Sequence, residues 1–186
     1  MKHRVLGMVV FASALSFAVA GAQTTAGTSS ATTSKSAQAS VLDAVEAGKL
    51  MPSSVFFRGQ SASIQARNSG GVRFGDKSLL LVSLVDTSGY SSQVQEKYQA
   101  YLIAESAVEI EGHRLAPGAY GCGFIAGDNF VVMDIGGHDL FTAHSTRDAE
   151  LHRPTPLQIL AAPGGPGDYR LYAGRNYVSF RAVGPK

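Results

Sequence analysis

The chain has a single cysteine, Cys122, so no internal disulfide is available and any folded domain must be held by its core alone. It also lacks a surplus of charge. The 16 basic and 14 acidic residues give a formal +2, but Lys2 and Arg4 sit at the extreme N-terminus. If a leader carrying them is removed, 14 basic face 14 acidic residues, and binding to nucleic acid or to an anionic membrane loses its electrostatic basis. No Gly-x-Ser-x-Gly nucleophile elbow occurs, no short His-x-His or Glu-x-x-His spacing marks a metal site, and no phosphate-cradling loop carries its lysine and helix. No cofactor is expected. The uncharged run Val5 to Ala20 falls short of the roughly 20 apolar residues a spanning helix needs.

That run has the layout of a cleavable secretory signal peptide instead. Lys2, His3 and Arg4 form a basic start, the apolar stretch follows, and Ala20-Gly21-Ala22 supplies small residues for cleavage. We place the signal peptide at residues 1–22, with the cut after Ala22 and Ala18-Val19-Ala20 as the alternative. The product would be exported to the periplasm or beyond, with no stable membrane insertion. Residues 23–40, almost wholly Thr, Ser, Ala, Gly and Gln, bury too little apolar surface to offset the entropy of ordering and read as a disordered linker. Residues 41–52 read as a short helix or tether with Ser40 as N-cap, ended by Pro52.

From residue 53 to 186 the sequence changes to short apolar or alternating runs punctuated by Gly, Asn, Asp and Pro, the pattern of antiparallel strands. Strands are expected over Ser54 to Arg58, Ala62 to Arg67, Val72 to Phe74 and Ser78 to Val85, with Asn68-Ser69-Gly70-Gly71 turning the second into the third. Leu79 to Val82 is apolar on both faces and belongs at the centre of a core. Ser91 to Ala100 reads as a short helix. Beyond it lie strands at Tyr101 to Glu105, Ala107 to Glu111, Tyr120 to Ile125, Phe130 to Ile135, Leu140 to His144 and Leu157 to Ala161. A last hairpin joins Tyr169 to Ala173 with Tyr177 to Val183 around Gly174. Pro117-Gly118 is expected at the centre of a type II turn. About nine or ten short strands in one domain imply an all-β fold, an antiparallel β-sandwich ahead of a barrel.

The segment Val108-Glu109-Ile110-Glu111-Gly112-His113-Arg114-Leu115-Ala116-Pro117-Gly118-Ala119-Tyr120 resembles the strand, G-x-x-L-x-x-G-x-Y turn and strand of certain exported bacterial β-sandwich domains of unknown function. It spans about a tenth of the chain. The resemblance implies a fold and no chemistry.

Two groups of residues carry the functional expectations. Asp134, His138, Asp139 and His144, with His152 nearby in sequence, are the densest potential ligands or acid-base groups and would suit a hydrolase or metal-dependent enzyme. On an unbent strand, however, His138 and His144 would stand about 20 Å apart at ~3.3 Å per residue, and ordinary turn and surface roles are the plainer reading. Cys122, between two glycines in a strand, reads as a buried inert thiol. The second group is the last hairpin. Alternation puts Arg170 and Tyr172 on one face of one strand, and Arg175, Tyr177 and Arg181 on one face of its partner. Where those faces coincide they make an Arg/Tyr surface for stacking on sugars or pairing with carboxylates, unless the side chains merely shield the sheet. The expected function is a noncatalytic binding or envelope-associated module with a glycan or protein partner.

Overall fold

Asp43 shows how the folded region begins. Its carboxylate accepts the Glu46 backbone N–H at 2.8 Å, and the Glu46 carboxylate accepts the Asp43 N–H at 3.2 Å. This capping box starts the helix three residues later than expected, so that α1 is Ala44–Leu50 and Ser40–Leu42 is strand β1. The structure, a computed structural model, describes residues 39–184. The expected signal peptide, and the linker through residue 38, lie outside the described residues.

Fourteen strands and two helices follow one another in these residues. After α1 come β2 (Ser54–Phe57), β3 (Gln60–Arg73), β4 (Leu79–Val85), α2 (Ser92–Lys97), β5 (Ala100–Ala104), β6 (Val108–Ile110) and β7 (His113–Leu115). They are succeeded by β8 (Gly118–Ile125), β9 (Asn129–Met133), β10 (Asp139–His144), β11 (Thr146–Arg147), β12 (Gln158–Ala161), β13 (Asp168–Ala173) and β14 (Asn176–Ala182). Sheet one runs β1-β3-β4-β5-β8-β9-β10 with β2 against β3, and sheet two runs β12-β13-β14-β6-β7 with β11 against β14. All pairings are antiparallel, and neither sheet closes into a barrel. No helix among the described residues is long and apolar enough to cross a membrane.

The sheets share a core in which Val82, Leu102, Cys122 and Val132 of sheet one meet Ile110, Leu171, Val178 and Phe180 of sheet two. A second core covers the other face of sheet one. There Leu81, Tyr101, Val131 and Met133 pack with Ala47 of α1, Val55 and Phe57 of β2, and Tyr98 just after α2. Sheet one is therefore buried on both faces, which is why residues 79–82 of β4 and 130–133 of β9 read as unbroken apolar runs, and β4 sits centrally, between β3 and β5.

Glycine makes the second core possible at β8. Gly121 and Gly123 face α2 and β2, whereas Cys122 faces inward. A Cβ at Gly121 would lie 2.5 Å from the Phe57 ring, and one at Gly123 would lie 2.2 Å from the Lys97 carbonyl oxygen. The same use of glycine corrects the hairpin expected at Asn68-Ser69-Gly70-Gly71. Those residues continue a single strand, β3, whose pairing with β4 shifts register between Ile64 and Ser69. Gly71 lets Leu80, Leu81 and Leu42 approach the backbone closely, and the Ser69 hydroxyl meets that of Ser83 at 2.9 Å in the core. Pro117-Gly118 is likewise no type II turn. Gly118 has ordinary negative-side backbone geometry and begins β8, where the chain passes from sheet two back to sheet one.

At its far edge sheet one is irregular. Asp139 pairs with Met133 and Phe141 with Val132, so Leu140 is the extra residue of a bulge and is left exposed.

Candidate functional site

The register of the last hairpin decides where its side chains point. Asp168 pairs with Arg181, Arg170 with Ser179 and Tyr172 with Tyr177, while Tyr169, Leu171, Val178 and Phe180 fill the core. Arg170, Tyr172, Tyr177 and Arg181 therefore share the outward face of sheet two. Arg175 does not join them. It occupies the turn after Gly174, where its guanidinium donates to the carbonyls of Ala149 and Leu151 at 2.8 and 2.7 Å and ties down the segment leading from β11 to β12.

On that face Arg170 and Arg181 already have partners. The Arg170 guanidinium lies 4.2 Å over the Tyr177 ring, donates to the Tyr172 hydroxyl at 3.3 Å and stands 3.6 Å from Asp148. Tyr172, buried although it faces outward, donates its own hydroxyl hydrogen to Asp148 at 2.8 Å. The Tyr172 hydroxyl, followed by nearby charges, pushes the Arg170 pKa up, and burial pushes up that of Tyr172. Further along, Arg181 pairs with Glu109 at 2.6 Å. A shallow cavity of about 180 Å³ opens beside this pair, lined by Glu109, Glu111, Asp168, Ser179 and Arg181. Glu111 accepts the Ser179 backbone N–H from its rim.

Four carboxylates, those of Glu109, Glu111, Asp148 and Asp168, thus accompany the guanidinium groups of Arg170 and Arg181, and Arg114, opposite Glu109 in the register, stands on the same face. Donors and acceptors thus stand side by side on this face, which is what a hydroxyl-rich ligand needs. Sequence alternation locates the Arg and Tyr residues. It cannot locate Asp148 or Glu109, which reach the site from β11's end and from β6.

The His/Asp group is brought together only in part. Asp134 accepts the His138 backbone N–H at 2.9 Å and contacts the ring Nδ1 at 3.0 Å. The His138 backbone hydrogen bond, and then its ring, hold the Asp134 carboxyl below the usual carboxylate value. The pair is open to solvent, with the His138 side chain 82% exposed. Asp139 is engaged by Lys97 at 2.6 Å. His144 lies at the other end of β10, paired with Asn129, and His152 sits in the segment before β12. Among the described residues no three His, Cys, Asp or Glu side chains converge as a metal site would require. Cys122 is buried in the shared core, and burial pushes its thiol up to about 12, which leaves it protonated and without nucleophilic character at neutral pH.

Comparison of the chain with protein-family models, with curated proteins and with solved structures found no match.

Proposed function

We propose that this chain is an exported, noncatalytic binding module that takes envelope glycan on the outward face of sheet two. The observation that carries the reading is the shallow cavity beside the Arg181–Glu109 pair, where Asp168, Glu111 and Ser179 add acceptors and a hydroxyl. Polar groups of both signs set side by side are what a sugar ring with several hydroxyls requires. The signal-peptide pattern of residues 1–22, the hydroxyl-rich segment after it and the resemblance of residues 108–120 to exported bacterial domains support the location.

Calorimetric titration with purified envelope glycan fragments tests it. Arg181→Ala and Asp168→Asn should each weaken binding by about tenfold, as expected when one partner of a recognition pair is removed. Unchanged affinity in both variants removes this face from consideration. Retention of envelope proteins, with no response to glycan, replaces the glycan by a protein partner. N-terminal sequencing of the exported form should begin at Gln23, and an intact Met1 would overturn the location.

A further inference from the structure

The turn between β2 and β3 consists of Arg58 and Gly59, both with positive φ, at 48° and 80°. Two left-handed residues suit a tight hairpin, but the first is normally Asn, Asp or Gly. A long side chain there costs about 1–2 kcal/mol. Arg58 spends its position on reach. Its backbone N–H is fixed to the Ile135 carbonyl at 2.9 Å, and its side chain lies across Gly137, where a Cβ would come within 2.3 Å of the Arg58 Cδ. Glycine at 137, with φ at 85°, is the space in which that arginine lies.

Arg58 so placed lines a cavity of about 270 Å³ between α2, the end of β2 and the β9–β10 turn. Gln93, Lys97 and Asp139 supply the rest of its polar wall, and Val94 with the edge of Met133 its apolar wall, Phe57 lying wholly buried behind them. Lys97 and Asp139 neutralise one another at 2.6 Å. Asp134, on the adjoining turn, is occupied by His138. Arg58 makes no ion pair or side-chain hydrogen bond among the described residues, so one positive charge in the cavity is uncompensated.

We propose that this cavity binds a small organic carboxylate with a short apolar tail. Arg58 presents a planar fork that matches a carboxylate with two parallel hydrogen bonds, Gln93 on the same wall supplies a further donor, and the tail rests against Val94 and the edge of Met133. The Lys97–Asp139 pair sets the affinity, because Asp139 both holds Lys97 in place and opposes an incoming anion. The site belongs to sheet one and is independent of the glycan face on sheet two.

Backbone amide NMR of the purified protein, titrated with hexanoate, hexanamide and inorganic phosphate, tests the assignment. Hexanoate should shift the signals of Arg58, Gly59, Lys97 and Gly137 saturably, and hexanamide should not. Arg58→Gln, checked for an unchanged thermal midpoint, should weaken hexanoate by about tenfold. Asp139→Asn should tighten it severalfold, an effect opposite in sign to general damage. Equal shifts with hexanamide, phosphate bound more tightly than hexanoate at the same residues, or weaker hexanoate binding in Asp139→Asn would each overturn the proposal. So would no response to hexanoate at tens of millimolar.

Discussion

The outward faces of the two sheets differ in kind. Sheet one is covered by α1, β2 and α2, and its outer side chains are Tyr101, Val131 and Met133 packed under Phe57 and Tyr98. Sheet two turns Arg170, Tyr177, Ser179 and Arg181 outward, satisfied by neighbouring carboxylates. The difference is written in the strands themselves: β9 runs Phe-Val-Val-Met without a break, whereas β14 alternates Tyr-Val-Ser-Phe-Arg. Apolar continuity reports a sheet covered twice, and alternation reports one covered once.

If the outer face of sheet one is a true core, emptying it should be as costly as emptying the core between the sheets. Phe57 is wholly buried and stacks on Tyr98 with ring centroids 3.8 Å apart. Phe57→Ala should therefore lower the free energy of unfolding by about 3–5 kcal/mol in urea titration. A loss below about 1 kcal/mol would make the cover an ornament. Gly123→Ala should cost about 1–3 kcal/mol, because the new methyl meets a backbone carbonyl that cannot rotate away. Gly164→Ala, with nothing near its Cβ position, is the control.

Cys122 sharpens the contrast from the inner side. Its folded pKa is raised to about 12, so the unfolded chain, with a thiol near 8.5, releases the proton first as pH rises. The stabilisation is complete below about pH 8.5 and is lost toward 12, at about 1.4 kcal/mol per unit. Wild type should lose stability relative to Cys122→Ala only in that alkaline window, and a thiol reagent should label the native protein at pH 8 no faster than it unfolds. The smallest effect belongs to sheet two. Arg181, with 58% of its side chain exposed, should cost less than about 1 kcal/mol when changed to Ala, and a larger loss would mean that this face is structural.

Much of the fold was legible because strand period and burial agree along residues 100–145. The errors fall where glycine has two uses. Gly70 and Gly71 looked like turn residues, yet neither has a positive φ; they serve close packing, and only the neighbouring strand reveals that. At the N-terminal side, Ser40 was expected as the cap, and Asp43 takes that place because Glu46 completes the reciprocal pair with it. For the site, alternation found Arg170, Tyr172, Tyr177 and Arg181 but put Arg175 on the face, since register cannot be read beyond the turn that ends a strand. Asp148 and the Arg58–Lys97 cavity depend on segments far apart in sequence. The one local signal for the latter was an arginine standing before glycine in a tight turn.

The bulge at Leu140 bears on how copies of this protein coexist in a crowded compartment. Sheet one ends in β1, only three residues long, and in β10, whose ladder is interrupted at its second residue. Neither offers a long flat row of free backbone groups to a neighbour, so a β protein with no disulfide to guard it gains resistance to edge-to-edge aggregation from the irregularity of its own border.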